Sequence, residues 1–415
     1  MRIIELPYNL KRLAQIVFNT KLRLPRKKIK VLFVVHFRPY WTTLEPIYKE
    51  MLTDKNFEPL VVIVDDQAND PDPIYNEIGT KLKFANALDL SKFLTLRDIK
   101  HTYWNDLVRQ SQLTGFKVLE KIRPDYVFRQ IHWEGSMPEE FRTKALEAYR
   151  ICYLPYEFEV AEVSRFTVEQ EIFTDAWKIF VASKIHFDYY QSKNKNLNLE
   201  VSYSPKLEQI AKRSRIVNST DRKTILWAPH HSVGDEWLRF GTFHLNYLDI
   251  LDFALRHPEV NFIFRAHHLL FQILKEKCNF EENDIENFLM QWNSLDNTEI
   301  DTNVDYSESF SKADLLLTDG ISFLVEFLAT CKPLIYMERQ GHEKLTSVGD
   351  YFLGYSHISA DISETIDLLE TFLAGELKPK TQDSKESSFD LMSPKLNSPR
   401  KILDSLLHGQ KVAKS

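Results

Sequence analysis

The sequence predicts an α/β protein built from two doubly wound parallel sheets in succession. Three observations carry that expectation. Short apolar runs alternate with stretches of helical periodicity from residue 29 onward. The alternation comes as two series, separated by a charged stretch without strand pattern, residues 206–222 (KLEQIAKRSRIVNSTDR). And 415 residues exceed what one ordinary core holds. Two such Rossmann-like domains facing a central cleft would line it with their strand C-termini, where ligands of doubly wound sheets bind.

In the first series, residues 29–37 (IKVLFVVHF) read as a buried strand, 43–52 as a helix and 59–64 as a second strand. Further strands are expected at 126–129, 151–154 and 178–182. The second series places strands at 224–228, 261–265, 314–318 and 334–337, each separated by helical stretches. Residues 376–400 are rich in Ser, Lys and Pro and read as a surface loop, followed by a short closing helix at 402–407. The division expected is a basic segment 1–28, a first domain 29–210, a second domain 211–395 and a C-terminal helix and tail 396–415.

Charge and cysteine content narrow the function classes. Residues 1–30 hold nine Lys/Arg and one Glu, a balance of +8, which leaves −14 on the remainder of a chain of net charge −6. An acidic body without a groove-reading motif argues against nucleic acid. Within the basic head, Leu10, Leu13, Ala14, Val17 and Phe18 recur at helical spacing beside Lys11, Arg12 and Lys21. Such a stretch suits an anionic membrane surface, or a first helix packed on its own domain. No apolar run approaches the ~20 residues that cross a bilayer, and the N-terminus lacks the apolar core of a secretory signal. Cys152, Cys278 and Cys331 lack metal spacing and suit a reducing compartment. The location expected is cytoplasmic, peripheral on the inner face of the membrane.

The second-half strand ends carry polar groups that a simple turn does not need. The 224–228 strand runs into Pro229-His230-His231-Ser232, and 261–265 ends in Arg265 before His267 and His268. The 314–318 strand runs into Asp319, Gly320, Ile321 and Ser322. Two His pairs and an Arg at corresponding strand ends point to one site. A helix beginning near Ser322 would offer free backbone N–H groups to an anion there. Gly320 permits close approach, and the Ser322 hydroxyl could cap the helix or donate to an oxygen. Glu326, one turn on, could accept from ribose hydroxyls. The His pairs lack the i, i+4 spacing of helical zinc motifs, and no DxD-like pair lies nearby, so no metal is expected.

Four segments, TILWAPHHSV (224–233), GTF (241–243), FIFRAHHLL (262–270) and LLLTDGISFLVEFLATCKPLIY (315–336), resemble the CDP-glycerol glycerophosphotransferase family. The resemblance covers roughly residues 205–345. It implies a GT-B fold and a role in teichoic acid or related capsular polymer synthesis. The family's phosphate-contacting histidine falls on His267, and its Thr/Ser-Asp-x-Ser-Ser turn on Thr318, Asp319 and Ser322. Ile321 stands for the turn's first serine, and His268 for a usual proline. The Trp-His-Gly-Thr-Pro segment of glycerol phosphate polymerases is absent. His36, His132 and Glu157 are the first-domain candidates for the base, with His267 and His231 the catalytic candidates of the second.

The function expected is transfer of glycerol or ribitol phosphate from a CDP-alditol to a hydroxyl of a polysaccharide or lipid-linked acceptor. CMP leaves, and no cofactor is required. The donor's phosphates would lie against His230, Arg265, Thr318, Asp319, Gly320 and Ser322. A GT-B glycosyltransferase using a sugar nucleotide, and a non-catalytic nucleotide-binding module, are the alternatives.

Overall fold

The computed structural model describes residues 28–36, 38–64, 90–92, 94–162, 168–215, 222–234, 238–303, 305–380 and 397–412. Most of the basic head, residues 1–27, and the stretch 381–396 of the expected surface loop lie outside them. Among the described residues no helix is long and apolar enough to cross a membrane. The chain forms two units. The first comprises residues 1–156, 166–206 and 397–415, and the second residues 157–165 and 207–396.

Unit 1 holds β1 (Ile29–Val35), α1 (Arg38–Thr53), β2 (Phe57–Ile63), β3 (Thr102–Tyr103), α2 (Trp104–Ser111), α3 (Gly115–Ile122), β4 (Tyr126–Arg129) and β5 (Arg150–Tyr153). α4 (Glu171–Asp175), β6 (Lys178–Val181), α5 (Lys184–Lys193) and β7 (Leu199–Val201) follow. Its seven strands pair in parallel in the order β3-β2-β1-β4-β5-β6-β7. The central strands are apolar on both faces because helices cover both. Phe33 and Phe128 stack at 5.0 Å between ring centroids, and Trp41 and Tyr48 of α1 meet Phe33 edge-on.

After α6 (Pro205–Ser214), unit 2 runs β8 (Thr224–Ala228), α7 (Phe243–Arg256), β9 (Asn261–Phe264), α8 (Leu270–Lys277), α9 (Glu282–Asn293) and β10 (Thr298–Ile300). It continues through α10 (Ser307–Lys312), β11 (Leu315–Thr318), α11 (Ile321–Leu328), β12 (Leu334–Met337), α12 (Ser347–Leu353), β13 (His357–Ser359) and α13 (Ile362–Leu373). The six strands pair in parallel in the order β10-β9-β8-β11-β12-β13. Trp227 centres this core, stacking on Phe243 at 5.5 Å and touching Phe264 and Trp292 at 5.0 and 5.6 Å.

The final helix, α14 (Ser398–Val412), is longer than its apolar pattern implied and returns to unit 1. Ile402, Leu403 and Leu406 are buried in the first core, and the Tyr126 hydroxyl donates to the Leu406 carbonyl at 2.7 Å. The charged stretch read as lacking strand pattern begins with the helix α6.

Candidate functional site

In a doubly wound sheet the ligand crevice opens where the strand order reverses, beyond the strand C-termini. In unit 2 that point lies between β8 and β11. β8 delivers the loop Pro229–Ser232, and β11 delivers Asp319 and Gly320 ahead of α11.

Four of the expected residues converge there. The rings of His230 and His231 lie 4.2 Å apart, His231 and His267 4.2 Å, and His230 and His267 5.4 Å. His268 stacks on His267 at 4.3 Å. The His267 N–H donates to the Pro229 carbonyl at 3.2 Å, which ties the β9 loop to the β8 loop. A Cβ placed on Gly320 would lie 3.8 Å from His230 Cδ2, so the imidazole edge sits beside the start of α11. Gly320 is the N-cap and contributes no side chain. The N–H groups of Ile321, Ser322 and Phe323 precede the first intrahelical bond, from Leu324 to Gly320.

The hydrogen bonds fix two tautomers. Ser232 N–H donates to His230 Nδ1 at 3.2 Å, and Leu269 N–H donates to His267 Nδ1 at 3.3 Å. Each Nδ1 is therefore an acceptor and each proton resides on Nε2. Burial, aided by the neighbouring imidazoles, holds His230 and His267 well below the usual histidine range and His231 at about 4. All three are neutral at pH 7. These rings therefore donate one N–H each, and gain charge only if an anion stabilises it. His231 Nδ1 is buried without a partner.

Other expected contacts are framework instead. Asp319 is buried; its Oδ1 accepts from His230 N–H at 2.5 Å, and its Oδ2 from Thr242 N–H at 2.5 Å and the Thr242 hydroxyl at 2.8 Å. Both oxygens face the protein, since a carboxylate presented to phosphate would repel it. Thr318 Oγ1 donates to the Ala228 carbonyl at 2.6 Å and accepts from Gly320 N–H at 2.9 Å, which ties β11 to β8. Arg265 lies one residue beyond β9, bonded to Asp301 at 2.7 Å, with its guanidinium 5.0 Å from the Tyr306 ring centre. Glu326 is 3% exposed and accepts from the Tyr306 hydroxyl. Ser322 is exposed on the first turn and caps nothing.

Two further strand-end residues visible in the sequence, Ser232 after the 224–228 strand and Arg339 after the 334–337 strand, hold the site rather than face it. Ser232 Oγ lies 2.8 Å from His230 Nδ1 and accepts from Phe240 N–H at 2.9 Å. Arg339 donates to the carbonyls of Gly234 at 2.7 Å and Gly241 at 3.3 Å, clamping the histidine loop. Gly241 passes so close that a Cβ there would lie 2.7 Å from the His230 carbonyl. The available signal was the GTF segment, whose Gly241 and Thr242 both hold this loop.

The first-domain candidates divide between the units. His36 follows β1 and His132 follows β4, both in unit 1, while Glu157 belongs to unit 2. Burial and the nearby Arg129 charge lower His36 to about 3 and His132 to about 4. Burial raises Glu157 to about 7, in the range of a group that exchanges a proton near neutral pH. Among the described residues no cluster of three His, Cys, Asp or Glu is arranged to hold a metal ion.

These shifts give a signed pH dependence. Above about pH 6.5 the imidazoles of His36, His132, His230, His231 and His267 are neutral folded or unfolded. On acidification the unfolded chain takes up their protons first, so stability falls between about pH 6.5 and about 4. Each imidazole contributes up to about 1.4 kcal/mol per pH unit there. Asp319, raised by burial to about 6, and Glu157 act oppositely; their contribution is present at low pH and lost as pH rises through about 6 to 7. Five groups outweigh two, so the thermal unfolding midpoint should drop from pH 7 to pH 5. A flat or rising midpoint over that interval contradicts the neutral-cluster assignment.

No family model matches the sequence, and no curated protein matches it. Solved structures do. The UDP-GlcNAc 2-epimerase from Neisseria meningitidis bound to UDP-GlcNAc is similar over 92% of this chain and 100% of its own, with a TM-score of 0.59 at 14% identity. The Methanocaldococcus jannaschii UDP-GlcNAc 2-epimerase in complex with UDP-GlcNAc and UDP gives 0.55 at 14%, over 92% and 100%. The wall teichoic acid polymerase TagF gives 0.53 at 12%, over 98% of each chain. The likeness fixes the fold. This chain has the GT-B architecture of two Rossmann-like α/β domains.

Proposed function

We propose that the protein transfers a polyol phosphate, glycerol or ribitol phosphate, from a CDP-activated donor to a hydroxyl of a polysaccharide or lipid-linked acceptor, releasing CMP. One observation carries this reading: His230, His231 and His267 gather at the switch point of unit 2 beside the open first turn of α11. In-line displacement at phosphorus builds charge on non-bridging and leaving oxygens. Fixed N–H donors stabilise that charge without reorganising. His230 Nε2–H, His267 Nε2–H and the amides of residues 321–323 are such donors, preset by their Nδ1 and backbone bonds. An anion there also favours the imidazolium forms, so binding should take up protons. The resemblance of segments 224–233, 262–270 and 315–336 to CDP-glycerol glycerophosphotransferases supplies the donor class, and the fold shared with TagF accords with it.

The fold shared with epimerases solved with UDP-GlcNAc favours a second reading, an enzyme acting on a UDP-sugar. The same amides and imidazoles would hold either diphosphate. Thermal-shift measurements with CDP-glycerol, CDP-ribitol, UDP-GlcNAc and GDP-mannose, followed by a CMP-release assay, separate the two. CDP-alditols should stabilise the protein selectively and yield CMP. Selective stabilisation by UDP-GlcNAc, without CMP release from any CDP-alditol, would overturn the proposal. The basic head's association with anionic membrane is part of the same reading, tested by liposome partitioning of the chain with and without residues 1–28.

A further inference from the structure

Residues 157–162 belong to unit 2, although β5 before them and β6 after them are strands of unit 1. Hydrogen bonds fasten them to the chain that precedes α12. Ala161 bridges Leu345 in antiparallel sense. Glu162 N–H donates to the Lys344 carbonyl at 2.7 Å, and Thr346 N–H to the Val160 carbonyl at 2.9 Å. The Thr346 hydroxyl donates to the Glu159 carbonyl at 2.6 Å and caps α12, accepting from Val348 and Gly349 N–H at 3.1 Å each. Gly349 permits the approach, since a Cβ there would lie 2.2 Å from the Val160 carbonyl oxygen. Glu159 is held in the left-handed region, φ 52°, which a non-glycine residue keeps only where its surroundings fix it.

The fastened segment reaches the candidate site through apolar contact. Ala161, Leu238 and Phe240 form a buried cluster, and Ile321 and Leu345 pack against it. Phe240 meets His230 edge-on at 6.3 Å, and its N–H donates to Ser232 Oγ at 2.9 Å. Ile321 opens α11, whose first N–H groups have no intrahelical partner. Gly320 before it has no side chain, so Ile321 is the first side chain able to anchor that helix start. One cluster therefore touches both the imidazole loop and the free amides. We propose that residues 157–162 set the direction of the α11 amides through Ile321, which acts as a positioning residue for the donor diphosphate. The resembled turn has a serine at this position; here an apolar anchor takes its place.

The inference rests on reading the start of α11 as the donor diphosphate site. The full-length chain is titrated calorimetrically with CDP and with UDP, well below its unfolding midpoint. Wild type, Ile321→Val, Ile321→Ser, Gly349→Ala and the Ile321→Ser, Gly349→Ala double variant are compared. The resemblance alone makes Ile321→Ser the gain of a hydroxyl for phosphate, with tighter binding. Positioning gives the reverse: Ile321→Ser and Gly349→Ala should each bind about tenfold more weakly, and Ile321→Val within about twofold of wild type. Both changes undo one linkage, so the double variant should lose little beyond either single one, whereas independent losses would multiply to about a hundredfold. The proposal is overturned if Ile321→Ser or Gly349→Ala binds as tightly as wild type, or if the two losses multiply. A lower unfolding midpoint with unchanged affinity would make the cluster structural and overturn it as well. Wild-type preference for UDP would count against the CDP donor alone, and the variants are then judged on UDP. If wild type binds neither nucleotide, the donor site fails and its positioning falls with it.

Discussion

Replacing His267 by alanine should lower CMP release from CDP-glycerol by about 10²–10³-fold, the loss that follows removal of one preset donor to a developing oxyanion. The ring sits within 4.2 Å of His231 and 4.3 Å of His268, outside the apolar core, so its removal opens no core cavity. The bond lost inside the protein is Leu269 N–H to Nδ1, at the N-cap of α8, where water can replace it. Far-UV circular dichroism of the variant should therefore match the wild type. The kinetic split is informative: a fall in kcat marks a contact made in the transition state, whereas a rise in KM alone marks uniform donor binding. Turnover like the wild type would remove His267 from the chemistry.

The parts of the fold legible in sequence were those buried on both faces. β1, β4, β8, β11 and β12 show continuous apolar runs because helices cover each side of their sheets. The strands that escaped sequence reading, β3, β7, β10 and β13, are two or three residues long, and three of them hold only half-buried or exposed residues. β3, β7, β10 and β13 are the sheet edges. An edge strand needs one neighbour and half the burial, so residues such as Thr298-Glu299-Ile300 carry no pattern.

The site shows the same division. Paired histidines after two strands marked the place, because a strand end that needs only a turn does not require them. What sequence could not give was direction. Asp319, Thr318 and Glu326 stand beside the candidate site residues in the chain but point into the protein, and their partners Thr242, Ala228 and Tyr306 lie 77, 90 and 20 residues away. Long-range hydrogen bonds leave no periodicity to read. The neutrality of the imidazoles was hidden for the same reason, since burial is set by the packing of three separate loops.

Asp319→Ala should cost about 3–5 kcal/mol of unfolding free energy, the largest stability loss expected at the site. The substitution strands His230 N–H, Thr242 N–H and the Thr242 hydroxyl in a buried place where water does not reach. Asp319→Asn should cost less, about 1–3 kcal/mol: its carbonyl oxygen still accepts from His230, but its amide meets the Thr242 N–H donor to donor. Ser322→Ala, two residues past the Gly320 N-cap, should stay within about 0.5 kcal/mol, because that hydroxyl is exposed and caps nothing. Urea denaturation of the three variants at pH 7.5 measures the order. If Asp319→Ala were no worse than Ser322→Ala, the carboxylate would not be what joins the His230 loop to Thr242. The geometry of the histidine cluster would then need another anchor, with the Arg339 clamp on Gly234 and Gly241 the next to remove.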